Sequence, residues 1–117
     1  MTQPIQTRSK VERDGTLAIV RLEGDITSAS RDAVLGTYEG LAADVSGVAL
    51  DFGKVPYLNS SGIALVIQLM MEASKAGRKV SVFGLTPHFQ KVFTMVGLTK
   101  YTTLHPDEAA AVASLRG

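Results

Sequence analysis

The feature of this sequence that most restricts its fold is an alternation between short apolar runs and a longer amphipathic segment. Residues 48–52, VALDF, are largely apolar and lie between two glycines, as expected of a buried strand. Residues 60–76 have the apolar spacing of one helix face, and residues 79–83 form another strand-like run. Strand, helix and strand joined by short loops predict parallel neighbours with a right-handed crossover.

The segments on the amino-terminal side add a hairpin and a further helix to this pattern. Residues 5–13 and 16–22 are predicted strands, joined by a tight turn at Asp14-Gly15. Residues 28–45 are predicted to form a helix, although two internal glycines weaken it by about 1 kcal/mol each relative to alanine. The hairpin adds an antiparallel pair, so the sequence predicts a mixed sheet covered by helices.

The carboxyl-terminal third contains a helix with clear start and stop signals. Thr86 followed by Pro87 is typical of an N-cap and the first helical residue, and Gly97 is typical of a C-terminal cap. Four apolar residues of this helix share one face: Phe89, Val92, Phe93 and Val96. A short strand over residues 101–104 and a helix over residues 106–115 complete the predicted elements.

Composition restricts the class of protein. The chain has 117 residues, enough for one domain over residues 1–117, with 45% apolar and 20% charged residues. It has no cysteine, no stretch typical of a membrane-spanning helix and no amino-terminal pattern typical of a secretory signal, so a cytoplasmic location is expected. A net charge of +1, without basic runs interleaved with aromatics, gives no reason to expect nucleic-acid binding.

The polar stretch NSSG, between the strand and the long helix, has two interpretations. In the simpler one, Asn59 caps the helix, Ser60 and Ser61 are polar first-turn residues, and Gly62 permits close packing. In the other, the unpaired amides and positive dipole end of the helix favour an anion. A serine there could carry a covalent phosphate, which adds about −1.5 to −2 charge units. Residue types alone leave both interpretations open.

The same helix has a candidate partner-binding surface. Leu65, Leu69 and Met71 flank a polar stripe rather than lie on the predicted core side. The stripe consists of Ser61, Gln68 and Glu72. These apolar side chains are either ordinary surface exposure or part of a face whose affinity the neighbouring serine controls.

Three segments together give the sequence a specific resemblance. They are LEGDIT at residues 22–27, LDFGKVPYLNSSGIALV at residues 50–66 and GRKVSVFGLTPHFQKVFTMVGL at residues 77–98. With them the chain, over residues 5–115, resembles the STAS family of sulfate transporter and anti-sigma factor antagonist domains, and within it the bacterial anti-sigma factor antagonists. The resemblance implies an α/β fold with a mixed sheet of four or five strands and about four helices, mainly on one side.

The resemblance also implies a mechanism called partner switching. The unphosphorylated antagonist binds an anti-sigma factor that is also a serine kinase; phosphorylation by that kinase ends the complex, and a PP2C-type phosphatase restores it. The phosphorylated residue of the family motif falls on Ser60, with Asn59 where aspartate is common. The expected partner-binding residues include Asp25, Thr27, Leu65, Gln68, Leu69 and Glu72. No cofactor is implied, and the oligomeric state stays open between a monomer and a weak dimer.

Enzyme activity is not expected. A triad of Ser60 with His88 or His105 and Asp51 lacks the Gly-x-Ser-x-Gly nucleophile turn. Residues 47–54 have the wrong spacing for a phosphate-binding loop, and no His, Asp and Glu cluster has metal-ligand spacing. The alternative function is a STAS domain that is not phosphorylated, acting as a scaffold or as the accessory subunit of a larger signalling or membrane transport assembly.

Overall fold

Five strands form a single mixed sheet. The computed structural model of the protein describes residues 6–116. The strands follow the chain in space, in the order β1-β2-β3-β4-β5; only β1 and β2 are antiparallel, and every other pair is parallel. Their bounds are Arg8–Asp14, Leu17–Glu23, Gly47–Lys54, Lys79–Phe83 and Thr103–His105. The predicted mixed sheet of four to five strands is confirmed, with a hairpin at its start.

Helices cover both faces of this sheet, but unequally. The first helical segment combines a 3-10 turn, Ser28–Ser30, a π-helix, Asp32–Gly36, and a short α1, Thr37–Glu39. The later helices are α2, Ser60–Lys75; α3, Pro87–Met95; a 3-10 turn, Leu98–Lys100; and α4, Glu108–Arg116. The first helical segment, α2 and α3 pack on one face and α4 on the other, as their two separate clusters of buried residues show. The expectation of helices mainly on one side is therefore confirmed.

The larger core lies under α2 and α3. Alternate strand residues face it, because successive side chains of a strand point to opposite sides of the sheet. Its fully buried members include Val20, Val48, Leu50, Val82, Val66, Met70 and Ala73. The ring of Phe52 meets that of Phe93 edge to face, with centroids 5.6 Å apart, and so joins β3 to α3. This packing fixes the two helices over the sheet.

The opposite face has a smaller core and an ion-pair cluster. Leu17, Ile19, Ala49 and Phe83 of the sheet pack against Ala111 and Leu115 of α4. Beside them the Arg21 guanidinium contacts the carboxylates of Glu12 at 2.9 Å, Asp51 at 2.8 Å and Glu108 at 2.8 Å. The hydrogen bond from Arg21 lowers the pKa of Glu12 below its usual value. The cluster ties the first turn of α4 to β1, β2 and β3.

The helix predicted over residues 28–45 was wrong in its length and regularity. Helical structure ends at Glu39, and Gly36 and Gly40 lie at the transitions between helix types and at the helix end. Residues 41–46 instead form turns that lead into β3, with the Ser46 amide donating to the Thr16 carbonyl at 2.8 Å. Glycine weakens a helix interior, and here tertiary contacts with the hairpin compete successfully with helix continuation.

Smaller differences concern element ends. The hairpin turn is at Gly15-Thr16 rather than Asp14-Gly15, because Asp14 still pairs with Leu17. The predicted C-terminal cap at Gly97 is confirmed: Gly97 directly follows Val96 at the end of α3, and its φ of 83° is the left-handed conformation common at that position. Val96, predicted on the core face of α3, is instead 48% exposed because it follows the last helical residue. Ile5, the predicted start of the first strand, lies outside the described residues.

Candidate functional site

Asn59 caps α2 as the sequence predicted. It follows the loop that leaves β3 and has an extended backbone, with φ −89° and ψ 179°. Its Oδ1 atom accepts a hydrogen bond from the Gly62 amide at 2.8 Å, and its carbonyl accepts one from the Ile63 amide at 2.9 Å. One amide of the first turn is therefore satisfied by the cap, and the helix starts at Ser60 with a fixed orientation.

Gly62 is needed because another part of the backbone passes over the first turn of α2. The loop after β2 runs beside the loop after β3: Ile26 donates its amide to the Tyr57 carbonyl at 3.0 Å and accepts from the Asn59 amide at 3.2 Å. A Cβ atom on Gly62 would lie 2.0 Å from the Ile26 carbonyl oxygen. The predicted close packing at Gly62 is thus confirmed. The residue that packs there, Ile26, was not identified from the sequence. The available signal was that Ile26 belongs to the LEGDIT segment, one of the three segments that carry the family resemblance.

Ser60 and Ser61 are exposed in the first turn of α2. Within the described part of the chain, neither their hydroxyls nor their backbone amides make a hydrogen bond. Two N–H groups and two hydroxyls therefore face solvent at the positive end of a 16-residue helix. This arrangement can accept an anionic group without breaking any existing contact.

The loop with Asp25 and Thr27 is held next to this helix start. Thr27 Oγ1 accepts from the Ala29 amide at 3.2 Å, and the Thr27 amide donates to Ser30 Oγ at 2.9 Å, which forms a capping box. Thr7 Oγ1 donates to the Asp25 carbonyl at 2.7 Å. Asp25 and Thr27 are both half-buried. The Thr27 hydroxyl is thus already used within the fold, and the backbone of Ile26 connects this loop to Asn59.

Leu69 does not belong to an exposed face. It is only 1% exposed and is part of the larger core. Since each helical residue turns by about 100°, Leu69 lies roughly 180° around α2 from Ser60. The side of α2 that faces the sheet is wider than the sequence pattern indicated. The expected exposure of Leu69 beside the polar stripe is therefore wrong.

The other predicted face residues of α2 differ in their exposure. Leu65 is half-buried and packs against the larger core, whereas Gln68 is exposed. Glu72 is half-buried, and its Oε2 atom is buried with no hydrogen-bond partner in the described residues. Five exposed residues of α2 follow one another at spacings of three or four and form a row, named the α2 outer row below: Ser60, Ala64, Gln68, Met71 and Lys75; Ser61 and Ser74 are exposed beside it. Ala64 was missed, although the 100° spacing from Ser60 points to it.

Of the groups considered for catalysis, Asp51 pairs with Arg21 at 2.8 Å on the face of the sheet opposite α2, and the two histidines make local contacts. His88 is exposed in the first turn of α3, with its ring 4.9 Å from that of Phe89. His105 ends β5, and its Nε2 atom is 2.6 Å from Thr103 Oγ1. Within residues 6–116, no group of three or more His, Asp or Glu residues could hold a metal ion.

No helix in residues 6–116 has both the length and the apolar character needed to cross a membrane.

Comparisons with known proteins agree on the family. A family model described as "Mlab, STAS domain" matches residues 9–106. BtrV of Bordetella bronchiseptica, whose name describes it as an anti-sigma factor antagonist, is 30% identical over 105 residues, covering 86% of this chain and 87% of BtrV. The protein belongs to the STAS domain family, within which it is of the anti-sigma factor antagonist type.

Solved structures agree on the fold. The crystal structure of an anti-sigma factor antagonist from Mycobacterium paratuberculosis superposes with a TM-score of 0.84 at 20% identity, over the whole of both chains. The structure of the Bacillus cell fate determinant SpoIIAA in its phosphorylated form has a TM-score of 0.63 at 21% identity, covering 87% of this chain and 95% of that one. The five-stranded sheet with its helices is therefore the fold of these antagonists.

Proposed function

We propose that this protein works by phosphorylation-controlled partner switching. In its unphosphorylated form it binds an anti-sigma factor that is also a serine kinase, and so releases a sigma factor. The kinase phosphorylates Ser60, which ends the complex, and a PP2C-type phosphatase reverses the modification. On this proposal the protein is a cytoplasmic binding protein rather than an enzyme.

The observation that carries this proposal is the open hydroxyl of Ser60. It is exposed in the first turn of α2, beside two backbone amides without acceptors in the described residues. A kinase can reach this oxygen, and a phosphate placed there meets unpaired N–H groups and the positive end of the helix dipole. The name of BtrV and the phosphorylated form described for SpoIIAA agree with such a role in those proteins.

A phosphate at this position would alter the surface and leave the fold in place. The hydrogen bond between Asn59 and Gly62 is kept, and so is the one from the Asn59 amide to the Ile26 carbonyl. Neither contact uses the Ser60 side chain. Negative charge at a helix start is stabilising, so the helix itself tolerates the modification. A partner docked over the same turn would instead have to accommodate a desolvated dianion, which is costly.

The proposed partner surface combines the helix start with the neighbouring loop. It consists of Ser60 and the rest of the α2 outer row, together with Asp25 in the loop after β2. Leu69 is excluded from this surface because it is buried. Leu65 is half-buried against the larger core, so only part of its side chain can contact a partner. Met71, 41% exposed, is the large apolar side chain that this surface offers.

The test is an intact-mass measurement after incubation with ATP and the candidate anti-sigma factor kinases of the same organism. We expect a gain of about 80 Da, one phosphoryl group, in the wild-type protein and in Ser61→Ala, but none in Ser60→Ala. Ser61 is a matched control, since it is the adjacent exposed serine of the same turn. A gain that persists in Ser60→Ala would contradict the assignment of the site. Stable binding to a scaffold or transporter subunit, with no phosphorylation by any kinase tested, would favour the alternative function.

A further inference from the structure

A groove between α3 and β5 lies on a part of the molecule that the partner-switching proposal does not use. Its volume is about 510 Å³, and its lining residues are Pro87, Gln90, Lys91, Thr94, Met95 and Leu104. Met95 is 83% exposed, although it is a large apolar side chain. Leu104 forms the wall on the β5 side and also packs against the larger core. This groove, the α3–β5 groove, is therefore apolar and open to solvent.

The groove runs beside an open strand edge. β5 is the last strand in the sheet order, and no other strand among residues 6–116 pairs with its outer side. It is only three residues long, with no charged Lys, Asp or Glu side chain and no proline within it. Lysines, prolines and bulges are the usual protection of an edge strand, so β5 leaves backbone groups available to an added strand.

The residues that line the groove include one charged side chain, and it is basic. Lys91 lines the groove itself. The two acids that follow β5 are engaged elsewhere: Asp107 Oδ1 accepts from the Ala110 amide at 2.9 Å, and Glu108 pairs with Arg21. An occupant of the groove therefore meets the positive charge of Lys91, and no acidic residue is among those that line the groove.

We propose that the α3–β5 groove binds an extended, acidic segment of a partner protein. The segment pairs with the outer edge of β5, inserts an apolar side chain between Met95 and Leu104, and places a carboxylate near Lys91. A second copy of this chain, placed groove against groove, does not fit as well, because it would bring two Lys91 side chains together with no acidic residue in either lining. The inference is independent of phosphorylation at Ser60.

The experiment maps amide shifts by nuclear magnetic resonance while a synthetic peptide is added to the full-length protein. The probe has about six residues, a common strand length, with Val alternating with Asp or Glu; a control peptide has Lys in place of every acid. We expect shifts within residues 87–95 and 103–105 for the acidic peptide only. No shifts at millimolar peptide, shifts that map elsewhere, or equal binding of the Lys peptide would overturn the proposal.

Two variants test the contacts, and a third serves as a control. Met95→Asp and Lys91→Glu are each expected to weaken peptide binding about tenfold, whereas Lys54→Glu, an equal charge reversal away from the groove, leaves it unchanged. All three positions are exposed, so the variants are expected to fold, which amide spectra check directly. Analytical ultracentrifugation of the free protein tests whether a second copy of the chain occupies the groove. A dimer that Met95→Asp dissociates would show that the occupant is a second copy, and would overturn the proposal of a partner segment.

Discussion

Helices α2 and α3 start in the same way but leave different groups open. α2 follows β3, and α3 follows β4, so both begin beyond the carboxyl ends of parallel strands. In each, a polar cap accepts a hydrogen bond from the third helical residue: Asn59 from Gly62 at 2.8 Å and Thr86 from Phe89 at 3.2 Å. The capping geometry is thus shared.

The two helices differ in the residues directly after the cap. In α3 the first position is Pro87, which has no amide hydrogen, and the third is the buried Phe89. In α2 these positions are Ser60 and Gly62, so a hydroxyl and an extra amide stay open while the backbone of Ile26 packs against the turn. A cap alone therefore does not make a modification site, because the residues after the cap determine which groups the helix start leaves open.

The largest expected effect is at the third position of α2. Gly62→Ala places a Cβ atom 2.0 Å from the Ile26 carbonyl oxygen, so the loop or the helix start must move. We expect a loss of about 3 kcal/mol in the free energy of unfolding, measured by urea denaturation. Gly36→Ala is the matched control, because its nearest neighbour would be 3.8 Å away. Equal stability of the two variants would contradict the role of the Ile26 contact.

A fixed negative charge at the first position tests whether the open helix start is the switch. Ser60→Asp is expected to weaken binding to the cognate kinase about hundredfold, near 2.8 kcal/mol, because its carboxylate must be desolvated under the partner. Ser60→Ala is expected to keep the affinity. Calorimetric titration without ATP measures both. Indistinguishable affinities of the two variants would show that the partner does not cover this turn.

Removing the two caps tests the shared part of the comparison. Asn59→Ala and Thr86→Ala are each expected to cost about 1 kcal/mol in the free energy of unfolding, since an amide loses its acceptor. The larger loss is expected for Asn59, whose hydrogen bond is shorter, 2.8 Å against 3.2 Å. Thermal unfolding of both variants, beside wild type, gives the comparison. A cost at only one helix would mean that the caps are not equivalent.

The smallest effect on stability is expected when the first residue of α2 is changed to proline, the residue that α3 has at that position. In Ser60→Pro the lost amide has no acceptor among the described residues, and the extended backbone of Asn59 suits a following proline. We expect a change of less than about 0.5 kcal/mol in stability, but no phosphorylation. A variant that unfolds would show that the Ser60 amide has a structural role.

Much of this fold could be predicted because its signals are local. The strand at residues 79–83, the cap at Asn59 and the left-handed Gly97 each follow from the chemistry of a few adjacent residues. The length of the first helical segment could not be predicted in this way. The low helix propensity of Gly36 and Gly40 weakens a helix but does not fix the residue at which it ends. Contacts of the following turns with the hairpin decided where it ends.

The sequence alone determined that a helix starts at Ser60 behind an Asn cap, because capping depends on side chains within three residues of each other. Three other features followed from the tertiary contacts: Leu69 is buried, Ile26 lies against Gly62, and α4 packs alone on the second face. These features depend on which distant segments come together. A helix with apolar residues around more than half its circumference does not specify which side the sheet will cover.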